Sequence, residues 1–183
     1  MNEKEKKHIS KFLSLVLRHQ PEIINLVLDE NGWVLVDELI EKSKSEKVYF
    51  DKLQLDEIVF TNDKQRFAFN DDKSKIRASQ GHSVQVDLLY ENTVPPSILF
   101  HGTTHEFMES IKQNGLLKMA RQHIHLSVEK DTATKVGSRK GKPIILTVNA
   151  LEMYNNGYEF YLSENKVWLT NFVPVEFINF NNE

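Results

Sequence analysis

Two consecutive prolines, Pro95-Pro96, interrupt the chain just past its midpoint. A proline pair fixes two φ angles and removes two N–H donors, so this stretch is a stiff extended connector rather than part of a helix or central strand. The apolar pattern differs on its two sides. Before it, Ile9, Phe12, Leu13, Val16 and Leu17 recur at helical spacing and predict a helix over 7–17, stopped by Pro21 soon after His19. Asn31-Gly32 marks a turn, and 33–36 a short extended segment. Short helices are predicted over 37–42 and 51–60. Strands at 67–69 and 76–78 flank a polar turn as a hairpin does, and a further strand is predicted over 83–88. Three helices and a hairpin are the order of a winged helix, a helix-turn-helix variant, although many small α+β lobes share that order.

Beyond the prolines strands dominate, at 98–100, 124–126, 143–148, 159–162, 167–169 and 176–180. Helices are predicted over 106–113, ended by Asn114-Gly115, and over 128–137. The expected fold class is therefore α+β in two lobes, 1–93 and 94–183. A chain of 183 residues is long enough for two small cores. It has no cysteine, which excludes a disulfide scaffold, a thiolate zinc site and a thiol nucleophile. The first residues are charged and no apolar run reaches membrane-spanning length, so a soluble cytoplasmic protein with no membrane partner is expected.

A net charge of −3 argues against a nucleic-acid ligand until the charges are placed along the chain. Between Lys112 and Lys142 lie eight basic residues and two acidic ones. Such a run is either a solvated face or an anion site. Arginine, the fork suited to bidentate phosphate binding, occurs only at Arg18, Arg66, Arg77, Arg121 and Arg139. Five of the seven histidines fall between His82 and His125.

Four places combine these residues. Arg18-His19 ends the first helix, either as a cationic cap or as a phosphate clamp beside a proton donor. Gln80-Gly81-His82-Ser83 follows the hairpin, with a glycine that lets backbone N–H groups approach an anion. His101-Gly102-Thr103 comes off a strand, and Gly102 is expected to permit close ligand approach. In 121–127, alternation puts Arg121, His123 and His125 on one strand face. His123 and His125 with His101 or His82 resemble a zinc set, but acidic partners are lacking and the neighbouring cations disfavour a metal, so none is expected. No nucleophile elbow, Walker loop or Rossmann fingerprint occurs.

Ser10 to His19, Asn31-Gly32-Trp33-Val34, Arg66-Phe67, Ile76 to Ser83, Leu99 to Thr103 and Arg121 to Ser127, taken in this order, resemble the RNA 2′-phosphotransferases, from about Ile9 to Ile178. The resemblance implies a winged-helix N-terminal lobe and a C-terminal lobe similar to NAD-dependent ADP-ribosyltransferases. It implies that an internal RNA 2′-phosphate, of the tRNA splice-junction type, attacks NAD⁺ and expels nicotinamide. The ribose 2″-hydroxyl then attacks that phosphate, giving 2′-OH RNA and ADP-ribose 1″,2″-cyclic phosphate. By motif match the catalytic tetrad falls on Arg18, His19, Arg66 and Arg121. NAD⁺, as co-substrate, falls to His101, Gly102, Thr103, His125, Ser127 and Val167. RNA contact falls to Arg77, Gln80, Gly81, His82 and Ser83.

Val167 stands where many ADP-ribosyltransferases carry a catalytic glutamate, which suits a phosphate nucleophile rather than protein modification. A monomer is expected, with His8 and His105 as surface residues. Two alternatives stand beside this reading. One is a winged-helix binding module without chemistry, against which the intact tetrad counts. The other is an ADP-ribosyltransferase that caps terminal phosphates of nucleic acid.

Overall fold

Helix α1 (Glu3–Val16) starts six residues before its apolar stripe does. Asn2 is the reason. Its side chain accepts from the Glu5 N–H at 2.9 Å, and the Glu5 carboxylate accepts from the Asn2 N–H at 3.0 Å. This capping box satisfies donors that a helix start leaves without intrahelical partners, so polar residues ahead of the stripe join the helix. Ile9, Leu13, Val16 and Leu17 turn inward and are buried. Pro21 opens a 3-10 turn, Pro21–Ile24.

The structure is a computed structural model that describes residues 1–180. It divides into two units, Met1–Leu89 and a second that begins at Tyr90. In the first unit β1 (Val34–Leu35) runs straight into α2 (Val36–Ser43). A second capping box, Asp51 with Gln54, starts α3 (Lys52–Phe60). The hairpin follows as β2 (Phe67–Phe69) and β3 (Lys75–Ala78). These strands form an antiparallel sheet in the order β1-β3-β2, which pairs Ile76 with both Val34 and Phe69. Leu13, Leu17, Leu39, Leu55 and Ile76 are fully buried in one core that all three helices share with the sheet. Each such side chain contributes roughly 2 kcal/mol of transfer free energy.

The strand predicted over 83–88 does not form. Val86 and Leu88 point inward and are buried, which produces strand-like alternation. The backbone bonds of the segment, however, run to the Arg18 and Glu30 carbonyls instead of along a neighbouring strand. Its apolar residues bury themselves without a ladder.

The second unit is mixed α and β as well. Its elements are β4 (Leu99–Thr104), α4 (His105–Asn114), β5 (Leu116–Leu117), β6 (Ile124–Leu126), α5 (Lys130–Gly137), β7 (Pro143–Val148), α6 (Ala150–Asn155), β8 (Phe160–Leu162), β9 (Trp168–Thr170), β10 (Phe172–Val173) and β11 (Ile178–Asn179). They make three small antiparallel sheets, β11-β7-β4, β6-β9-β8 and β10-β5. A bridge between Phe100 and Ser127, closed by two backbone bonds of 2.7 and 2.9 Å, ties β4 to the end of β6. Leu99, Leu146, Val148, Met153 and Phe160 fill the core between sheets and helices.

Three elements lie outside the sequence reading: α6 and the pair β5 and β10. Others differ in extent. β4 continues through Thr104, and the strand predicted over 176–180 is a 3-10 turn, Val175–Phe177, followed by a two-residue strand, because Pro174 sets φ for a turn. The segment before the prolines is held by Thr93 and Asn92, which bond the Phe160 carbonyl and N–H. Among the described residues no helix is long and apolar enough to cross a membrane.

Candidate active site

Arg18 and His19 sit one and two residues past the C-cap of α1, where the helix has run out of N–H partners for its last carbonyls. The loop after the hairpin supplies them. Ser83 N–H and Val84 N–H both donate to the Arg18 carbonyl, at 2.9 and 3.2 Å. Ser83 Oγ lies 2.9 Å from His19 Nδ1. The Arg18 side chain turns the other way: Nη2 donates to the Arg66 carbonyl at 3.1 Å, and the guanidinium lies 5.9 Å from the Phe67 ring centroid. Arg66 is itself tethered by Asn62, whose Oδ1 accepts from its N–H and from Nη1. Three residues from distant parts of the sequence, Arg18, His19 and Arg66, are thus joined at the helix end, all of them half-buried.

Arg77 stacks on Trp33, 4.4 Å from the ring centroid, with Nη1 3.5 Å from the Asn31 carbonyl. This is a cation–π contact that draws the guanidinium onto the Asn31–Trp33 turn. Gly81 has φ +86°, the left-handed region that favours glycine, and this turns the chain back toward α1. His82 is 1% exposed, and neither ring nitrogen has a hydrogen-bond partner. Burial, then the charges of Arg18, His19 and Arg77, push its pKa down to about 4, so the ring is neutral. Gln80 Oε1 is likewise buried without a partner. The sequence grouped Gln80, Gly81, His82 and Ser83 as one surface, whereas the His82 ring lies inside.

In the second unit His101 is on β4, and its Nδ1 donates to the His125 carbonyl at 3.1 Å. Its pKa is lowered, chiefly by burial, so Nδ1 carries the proton and Nε2 is an acceptor. His125, on β6, has the opposite tautomer. Arg121 Nη1 lies 2.8 Å from His125 Nδ1, and since a guanidinium only donates, Nδ1 accepts. Partial burial and the charge of Arg139 lower the Arg121 pKa, so two like charges stand close enough to interact. Sequence reading had placed Arg139 only within a basic run.

One expectation is corrected here. Arg121, His123 and His125 do not share a strand face, because β6 begins at Ile124 and Arg121–His123 lie on a bend. His123 packs edge-on against Tyr90 and Tyr161, at 6.0 and 5.5 Å. The absence of a Cβ at Gly102 makes room for α5: a Cβ there would stand 1.9 Å from the Ala133 carbonyl oxygen. Thr103 is buried, Ser127 holds the bridge to Phe100, and Val167 precedes β9 with its N–H on Ser163 Oγ. His8 and His105 are exposed as expected. Among the described residues no group of three or more His, Asp or Glu side chains is placed to hold a metal ion.

The fold is α+β, and each of its two units carries an arginine–histidine cluster. The family model described as RNA 2'-phosphotransferase, Tpt1 / KptA family, matches residues 4–172. A protein of Flavobacterium johnsoniae named "Probable RNA 2'-phosphotransferase" is 59% identical over 180 residues, covering 98% of this chain and 99% of that one. A Fusobacterium nucleatum protein of the same name is 53% identical, over 94% of this chain and 97% of its own. One from Pectobacterium atrosepticum is 49% identical, over 96% and 98%. The chain belongs to the RNA 2′-phosphotransferase family.

Proposed function

We propose that the protein transfers an internal 2′-phosphate of RNA to NAD⁺, yielding 2′-OH RNA, ADP-ribose 1″,2″-cyclic phosphate and nicotinamide. The first unit then serves as a winged-helix RNA lobe and the second as an ADP-ribosyltransferase-like lobe. The observation that carries the reading is the joining of Arg18, His19 and Arg66 at the end of α1. Two arginines and a histidine held at one helix end supply the forked donors and the proton donor that phosphate chemistry asks for.

The chemistry asks for those residue types. In the first step the nucleophile is an RNA phosphate oxygen, already anionic, which forms a bond to the anomeric carbon as nicotinamide departs with the bonding pair. Positioning and charge neutralisation serve it better than a base. In the second step the ribose 2″-oxygen bonds to phosphorus while the RNA 2′-oxygen leaves. Arginines stabilise the charge spread over the transferred phosphoryl group, and His19 protonates the leaving oxygen. The family resemblance assigns Arg121 to the same step. On the NAD⁺ side His101 Nε2, as an acceptor, suits a ribose hydroxyl, and the backbone of Gly102 and Thr103 suits the carboxamide. His125, Ser127 and Val167 complete that contact.

The test is incubation of the purified protein with an oligonucleotide carrying one internal 2′-phosphate, with and without NAD⁺. Phosphate loss that requires NAD⁺ is expected. Loss without NAD⁺, or none at all, overturns the proposal.

A further inference from the structure

We infer that Ser83 is a positioning residue for His19, holding the imidazole in the tautomer with its proton on Nδ1 so that Nε2 faces the reacting phosphate. The inference rests on the proposed function, in which His19 is the proton donor of the second step, and it removes Ser83 from the RNA-contacting group.

The hydrogen-bond directions carry it. Ser83 Oγ donates to the Arg18 carbonyl at 3.4 Å and lies 2.9 Å from His19 Nδ1. A hydroxyl has one proton. In the rotamer that sends this proton to the carbonyl, Oγ presents a lone pair to His19 and Nδ1–H is the donor. The backbone fixes where the hydroxyl sits. The Arg18 carbonyl is held by the N–H groups of Ser83 and Val84, so the acceptor for the hydroxyl is immobile and the loop carries Oγ to the ring.

The bond an imidazole makes at one nitrogen sets what the other can do. With Nδ1–H on Ser83, protonation can occur only at Nε2. When the RNA 2′-oxygen leaves phosphorus, the Nε2 proton passes to it and the ring returns to the neutral Nδ1–H form. The 2″-hydroxyl proton passes to solvent, and solvent reprotonates Nε2.

The experiment compares the full chain, Ser83→Ala and Ser83→Thr. Imidazole ¹H–¹⁵N correlation spectra give the His19 tautomer without substrate. Single-turnover reactions with a 2′-phosphorylated oligonucleotide and NAD⁺ give the two steps separately. Expected are an Nδ1–H tautomer for the unmodified chain, its loss in Ser83→Ala and its return in Ser83→Thr. The second step slows about tenfold in Ser83→Ala, with ADP-ribosylated RNA accumulating and the KM for RNA unchanged. A tautomer that Ser83→Ala leaves as it was, or an Ser83→Ala variant that raises the KM for RNA with the second step intact, overturns the inference. If the unmodified chain shows no NAD⁺-dependent turnover, the proposed function falls, while the spectra still decide what Ser83 does to His19.

Discussion

Gly102 carries two constraints at one residue. Its neighbour His101 faces the histidine–arginine cluster of the second unit, while its own Cα lies against the α5 backbone, where a Cβ would come within 2.9 Å of Gly137 N as well as overlapping Ala133. Gly102→Ala therefore has to displace a helix. A loss of about 1–3 kcal/mol is expected, read as a lowered midpoint of denaturant unfolding. At the phosphate cluster, replacing Arg18, Arg66 or Arg121 by alanine is expected to lower 2′-phosphate removal about 10³-fold or more. His19→Ala is expected to stall the reaction with ADP-ribosylated RNA, detected as a slower-migrating oligonucleotide. Normal turnover of His19→Ala would refute its assignment. These residues stood out in the sequence because arginine is rare in this chain. The burial of the His82 ring did not, since a histidine beside a glycine carries no sign of which way it turns.

Among the elements, the helices show how local chemistry decides their ends. Asp51 caps α3 through its bond to the Gln54 N–H at 2.8 Å. Asp51→Ala is expected to cost about 1 kcal/mol and to lower the melting temperature by about 2–4 °C. The start of α1 at Glu3 lies outside the predicted 7–17, although the Asn2-x-x-Glu5 spacing is a capping signature ahead of the apolar stripe. The pair β5 and β10 was not legible in the sequence. Leu116↔Val173 and Leu117↔Phe172 join segments more than fifty residues apart, and two residues are too few to show any period. The predicted strand over 83–88 had the opposite fault. Alternating burial was real, but alternation reports which way side chains face and says nothing of whether a partner strand exists.

For the whole molecule, pH tests how far buried histidines govern stability. His82 titrates near 4 folded and near 6.5 unfolded, so between those values the unfolded chain binds more protons. Its contribution is complete above about pH 6.5 and is lost as pH falls toward 4, a change of about 3 kcal/mol. His101, whose pKa is also lowered, adds loss in the same direction. Denaturant midpoints are therefore expected to fall between pH 7 and 4.5, and His82→Leu is expected to flatten part of that fall. A midpoint constant over this range would contradict a neutral buried His82.

The α+β class, the change of pattern across Pro95-Pro96, the order of most elements and the scarce arginines were determined by the sequence itself, because periodicity, turn residues and charge are local properties that survive unfolding. The helix packed on Gly102, the opposite tautomers of His101 and His125, the bend that removes Arg121 and His123 from β6, and the serine aimed at His19 were decided only by the tertiary structure. Each depends on which distant backbone group a side chain meets. That is settled when loop and helix end come together, since a donor or acceptor has no direction until its partner is in place.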